Sequence, residues 1–178
     1  MHRLFVAIRP PLEIRSRLLS LMGGVAGARW QSDAQLHITL RFVGEVDGRR
    51  AEDLLDALRT VHFEPFAIEL NGLGTFERKG RSQTLWAGLQ PRDGLLRLHQ
   101  KVDRVCVMAG LPPAERSYLP HITLARLKSS AVVSEGFLAV HAGLSSAPFL
   151  VERFTLFESH LGSEGATYHV VSCYEASR

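Results

Sequence analysis

Cysteine is scarce in this chain, with two among 178 residues. Cys106 and Cys173 sit in flanks that read as helix and strand, with no repeated spacing. That pattern excludes a disulfide framework and a paired-cysteine zinc knuckle, and it makes a reducing cytoplasm the expected compartment. Long apolar runs are also missing: nothing approaches the ~18–20 residues of a membrane span, and the apolar stretch at Leu4–Ile8 is too short for a signal peptide. No membrane partner is expected. Charge of one sign is not concentrated either. Lys and Arg number 21 against 18 Asp and Glu, with a pI of about 9.2. An anionic substrate is tolerated by that balance, but the densest basic cluster, Arg78-Lys79-Gly80-Arg81, reads by itself as a solvated turn. Low-complexity tracts are absent, and a composition 46% hydrophobic and 22% charged belongs to a folded protein. The length fits one domain, residues 1–178, with two lobes sharing a core.

What is present is a mixed pattern of strands and helices. Leu4–Ile8 is a continuous apolar run halted by Pro10-Pro11, the mark of a buried strand. Leu12, Ile14, Leu18, Leu21 and Met22 then recur at helical spacing up to Gly23-Gly24. Residues Leu36 to Val43 alternate as a half-buried strand, and a helix follows from Ala51 to Val61 with Asp47 as its N-cap. Phe66–Leu70 and Thr84–Leu89 read as strands separated by a Gly-rich polar connection. Leu95, Leu98, Val102, Val105 and Ala109 define a helix running from an Asp93 cap to Gly110. Leu119–Leu127 resembles the earlier alternating strand, Phe137–Leu144 is a weaker helix, and Phe149–Phe157 and Tyr168–Tyr174 close the chain as strands. The irregular spacing and turn-like connections favour an antiparallel α+β fold over parallel winding.

Against that background one string repeats. His37-Ile38-Thr39-Leu40 recurs as His121-Ile122-Thr123-Leu124, 84 residues later (121 − 37), nearly half the chain. The spacing suggests two related lobes around one cleft. In a strand, His and the Thr two residues on share a face while Ile and Leu enter the core. Each copy therefore presents an imidazole beside a hydroxyl. Two such pairs facing each other supply two groups that exchange protons near neutral pH and two donors for an anion. A neutral imidazole can take a proton from an attacking water while an imidazolium opposite protonates a departing oxygen, the equipment for in-line displacement at phosphorus. No His-Glu-x-x-His helix or other metal-ligand motif accompanies the repeat, so no metal and no cofactor is expected.

On these residues the chain resembles the two-histidine (2H) phosphoesterases, whose mark is a pair of His-x-Thr/Ser-x motifs. Within them it is similar to the LigT-like or ThpR branch, RNA 2',3'-cyclic phosphodiesterases historically called 2'-5' RNA ligases. The match extends to Leu4-Phe5-Val6-Ala7-Ile8-Arg9-Pro10-Pro11, to Arg29-Trp30, to the flanks Arg41-Phe42-Val43-Gly44, and to Pro120 and Ala125-Arg126 around the second motif. The resemblance implies a bilobal α+β fold: two antiparallel sheets, helices packed outside, and pseudo-twofold symmetry around a central groove. It implies hydrolysis of a 2',3'-cyclic phosphate to a 2'-phosphomonoester, on an RNA end or a cyclic nucleotide; a monomer is expected. His37 is then the proton donor to the leaving 3'-oxygen and His121 the proton acceptor from water. Thr39, Thr123 and Arg126 are expected to hold phosphate. Reversible 2'-5' ligation, the same chemistry with a 5'-hydroxyl in place of water, and a non-catalytic RNA-end or nucleotide-binding module are the alternatives.

Three side chains carry open questions. Arg126 lies five residues after His121, so strict alternation puts it on the wrong face unless a bulge, twist or strand end turns it. Arg41 shares parity with His37 and either lines the groove or flanks it. Phe42 is expected in the core, whereas Tyr118 is evenly poised between packing and stacking on a base. Trp30 and Trp86 are expected to anchor the core.

Overall fold

The apolar run Leu4–Ile8 lies in strand β1 (His2–Ile8), and it is apolar because both faces of that stretch are covered. Leu4, Val6 and Ile8 join the main core, while Phe5 and Ala7 pack with Phe157 and Tyr168 on the other side. This computed structural model describes residues 1–177. In chain order the elements after β1 are helix α1 (Leu12–Ser20), β2 (Ala28–Trp30), β3 (Ile38–Val46), α2 (Gly48–Leu58), β4 (Phe66–Arg78), β5 (Arg81–Gln90), α3 (Asp93–Met108), β6 (His121–Leu127), α4 (Glu135–His141), β7 (Phe149–Val151), β8 (Arg153–Gly162) and β9 (Gly165–Glu175).

All strand pairings are antiparallel, in the order β7-β4-β5-β6-β3-β1-β8-β9, with β2 added to β6. Along that main order four strands lie on each side of the β6–β3 junction, β2 being the ninth, and the junction consists of one residue pair, Ile38 opposite Ile122. These are the second residues of the two tetrapeptides. A pairing of equivalent residues on antiparallel strands puts a local twofold axis between them, so the repeat in sequence becomes a symmetry of the sheet. The α+β class and its pseudo-symmetry are as expected, but the two expected sheets are halves of one nine-stranded sheet, joined at the motifs through the Ile38–Ile122 pairing.

Helices form behind this junction. In α3, Leu95, Leu98, Val102 and Cys106 are buried at spacings of three and four, one stripe of a 3.6-residue helix. Asp47 caps α2, its carboxylate accepting from the Arg50 amide at 2.8 Å. Ser134 caps α4 in the same way through the Phe137 amide. Asp93 is not a cap: it lies inside the first turn of α3, with Arg92 before it. Ile38, Leu40, Ile122 and Leu124 are all essentially inaccessible, in one cluster with the stripes of α2 and α3.

Two strand expectations change. The Gly-rich stretch after Leu70 is not a loop, because β4 and β5 run on as a long hairpin through it. A β-carbon on Gly74 would lie 2.2 Å from the Trp86 ring, and one on Gly88 would lie 2.3 Å from the Asn71 carbonyl. Those glycines permit close approach within strands instead of marking a connection. The run Phe149–Phe157 is two strands: β7 pairs with β4 in one half of the sheet and β8 with β1 in the other. The chain therefore crosses between the halves at Glu152, inside what reads in sequence as a single strand.

Candidate active site

Register places the motif side chains. From Ile38 opposite Ile122, one step each way sets His37 across from Thr123 and Thr39 across from His121. The two histidines are diagonal neighbours, with backbones roughly 7–8 Å apart, and all four side chains share the face opposite the buried isoleucines. The separation leaves room for one phosphate between two imidazoles.

Each imidazole is held in the same way. His37 Nδ1 donates to the Gln35 carbonyl at 2.7 Å, and His121 Nδ1 donates to the Leu119 carbonyl at 2.7 Å. Because a carbonyl can only accept, the proton of the neutral ring stays on Nδ1 and Nε2 is left for a ligand. Gln35 is itself fixed: its side chain accepts from the Ser32 amide at 3.0 Å and donates to the Ala166 carbonyl of β9 at 2.8 Å.

Aromatic walls enclose both rings, and they too follow the symmetry. Phe5 and Tyr168 lie 5.0 Å and 5.3 Å from His37 between ring centroids, and Phe76 and Trp86 lie 4.9 Å and 6.0 Å from His121. Burial among these rings disfavours the imidazolium. His37 is pushed down to about 4, mainly by burial, with the positive charges of His121, Arg126 and Arg9 adding to it and the Gln35 hydrogen bond opposing it. His121 is lowered by burial first and by Arg126, against its hydrogen bond to Leu119. Both imidazoles are therefore neutral near pH 7.

Paired bulges settle the orientation of Arg126. In the β5–β6 ladder Leu85 faces Ala125 and Trp86 faces Thr123, so Leu124 is skipped. In the β1–β3 ladder Val6 faces Arg41 and Ala7 faces Thr39, so Leu40 is skipped. The bulges occupy the same place in both repeats, and each reverses the alternation after the motif's Leu. Leu124 and Ala125 are consequently both buried and Arg126 returns to the histidine face, where its charge acts on His37, His121 and Tyr168. Its only polar contact among the described residues is Nη1 donating to Thr84 Oγ1 at 3.3 Å.

The matching bulge in the first repeat corrects one expectation and decides another. Phe42 is not a core residue: it is 64% exposed, at the position equivalent to Arg126, beside Phe5. Arg41 turns away from the groove and pairs with Asp103 of α3 at 2.7 Å. Tyr118 stacks on His99 at 4.1 Å between centroids, and His99 Nδ1 donates to the Leu40 carbonyl at 2.7 Å. Tyr118 is thus part of the support behind the first motif and no platform for a base. Trp86 is only half buried and walls the site, whereas Trp30 packs against Phe137. Phe5, Phe76, Tyr168 and Trp86 carry no site signal in the sequence, because all four reach the histidines from other strands.

The Arg41–Asp103 pair ties α3 to the bulged strand, and both side chains are largely covered. Arg41→Ala leaves Asp103 without its partner and is expected to cost about 2–3 kcal/mol, below the ~3–5 kcal/mol of a fully buried pair. Denaturant unfolding measures this.

The family model described as the 2'-5' RNA ligase superfamily matches residues 11–163. A protein of Thermus thermophilus named RNA 2',3'-cyclic phosphodiesterase is 33% identical over 183 aligned positions, covering 95% of this chain and 87% of that protein. One of the same name from Aeropyrum pernix is 40% identical over 99 residues, a match spanning 55% of this chain and 56% of that protein. The crystal structure of E. coli LigT complexed with 3'-AMP superposes with a TM-score of 0.83 at 26% identity, covering 99% of each chain.

Proposed function

This chain belongs to the 2'-5' RNA ligase superfamily, and from that premise we propose that it is an RNA 2',3'-cyclic phosphodiesterase acting by two-histidine acid–base catalysis. The observation that carries the reading is the Ile38–Ile122 pairing, which sets two equivalent His-Thr pairs around one point. The two half-sheets act as lobes on either side of one groove, in a monomer whose site needs no second chain.

The cyclic phosphate sits over that junction. Thr39 and Thr123 donate their hydroxyls to its non-bridging oxygens and Arg126 supplies the charge-assisted fork, interactions that strengthen as negative charge builds at phosphorus. His121 Nε2 takes a proton from water, whose oxygen bonds to phosphorus in line with the 3'-oxygen. The bond from phosphorus to the 3'-oxygen breaks, and protonated His37 gives its Nε2 proton to that oxygen. The product is a 2'-phosphomonoester with a free 3'-hydroxyl. Family resemblance supports this division of roles. It requires the bound anion to raise His37 well above its free value of about 4. Phe42, exposed on the same face, offers a stacking surface for the terminal base.

Among the described residues no helix is long and apolar enough to cross a membrane. Cys106 and Cys173 are both free, which supports a cytoplasmic setting. The test is to incubate the purified protein, in excess chelator, with RNA ending in a 2',3'-cyclic phosphate and to identify the product. A 2'-phosphate end is expected; a 3'-phosphate, or no hydrolysis under chelation, overturns the reading.

A further inference from the structure

Beyond the catalytic face the β4–β5 hairpin ends in Arg78-Lys79-Gly80-Arg81, and between it and the end of β6 lies a pocket of about 480 Å³. Arg78, Lys79 and Arg81 line one side, and Leu127 and Ser129 the other. Thr84 pairs with Arg126, so continuing the ladder brings the pocket to the next rungs after Arg126. At ~3.3 Å per residue, Arg126 to Ser129 spans about 10 Å. That is the reach of a sugar-phosphate chain and lies outside the grasp of a single phosphate held at the histidines.

The charge arrangement is unfavourable in the absence of an anion. Arg29 of β2 is the cross-strand partner of Arg126, and Arg78 is the cross-strand partner of Arg81. Like charges directly opposite one another destabilise a sheet. None of the five cations Arg29, Arg126, Arg78, Lys79 and Arg81 has a carboxylate partner among the described residues. Glu77, next in sequence, does not line the pocket. The turn adds a second cost: Lys79 takes φ 52 before Gly80 at φ 71, a two-residue turn whose first position normally belongs to Asn, Asp or Gly. The repulsion within these two Arg–Arg pairs is what a polyanion would relieve.

We propose that this pocket receives the phosphates upstream of the reacting end, so that the preferred substrate is an RNA chain and not a mononucleotide. The chain leaves the histidines past Arg126 and Arg29 and enters beneath the hairpin tip. The proposal rests on the phosphodiesterase reading for the identity of the reacting end.

The test compares R78Q/K79Q/R81Q with the wild-type protein. All three side chains are exposed and their loss spares the core. The ratio of kcat/KM for a short oligoribonucleotide 2',3'-cyclic phosphate to that for a mononucleoside 2',3'-cyclic phosphate is measured at low salt. Wild type is expected to favour the oligonucleotide, and the triple variant to lose roughly tenfold or more of that ratio. A control with R17Q/R49Q/R50Q, matched in charge and exposed elsewhere, should keep it. Binding of an unreactive 3'-phosphate oligonucleotide is followed alongside by anisotropy, where the slope of log K against log salt should fall by about 0.7 for each phosphate no longer neutralised. An unchanged ratio and slope in the triple variant overturns the proposal. Should wild type hydrolyse neither substrate, the catalytic reading fails and the binding slope still decides the pocket.

Discussion

His121→Ala and His37→Ala are each expected to lower kcat by about 10²–10⁴-fold, the range of a lost general base or acid. The effects should not add. Acid and base serve one transition state, so the double variant falls little below the worse single one. KM should move far less, because the proposed anion contacts of Thr39, Thr123 and Arg126 remain. Each ring also bonds a main-chain carbonyl, at Gln35 or Leu119, so alanine removes a structural hydrogen bond together with the chemistry. Asparagine separates the two, since its amide can still donate to that carbonyl but cannot shuttle a proton. A His→Asn variant with wild-type melting temperature and the same loss of kcat assigns the defect to catalysis.

Arg126→Ala should reduce kcat/KM by about 10–100-fold, from the ~1.5–3 kcal/mol of a hydrogen bond to a charged group. It should also shift the pH profile, with a sign that follows from the site. The rate needs one imidazole neutral and the other protonated, so kcat/KM rises above the pKa of the base and falls above that of the acid. Burial holds both histidines below the ordinary value, so the wild-type maximum is expected on the acid side of neutrality. The charge of Arg126 lowers both further. Removing it raises both, and the whole bell moves to higher pH. Arg126→Lys keeps the charge and therefore the profile, while losing the planar fork and part of the rate. A pH series on the three proteins checks this; an unshifted profile for Arg126→Ala would place the guanidinium away from the histidines.

The candidate site is legible in the sequence because its motif is written twice. Period two sends His and Thr to one face, and the 84-residue repeat (121 − 37) suggests two facing copies. A cleft between distant lobes is not required: Ile38 and Ile122 are themselves paired, and the motifs meet inside one sheet. What alternation cannot show is the pair of bulges at Leu40 and Leu124. A skipped residue leaves no mark in a hydrophobic pattern, and it reverses every side chain that follows. Phe42, expected inside, lies outside for that reason, while Arg126, set on the wrong face by simple counting, lies with the histidines. The aromatic walls are hidden differently. Phe5, Phe76, Trp86 and Tyr168 read as ordinary strand residues, and only the order of strands in the sheet brings them beside an imidazole. Gly74 looks like a loop signal because the ring that needs its missing β-carbon, Trp86, is on the next strand.

The division of labour between the two histidines is tested most directly by a substrate in which the departing 3'-oxygen is replaced by sulfur. A thiolate leaves without protonation. On this substrate His37→Ala is expected to recover most of its lost rate, whereas His121→Ala, still lacking the base that activates water, remains slow. Recovery of His121→Ala instead, or of neither variant, would contradict the placement of His37 as acid opposite His121 as base.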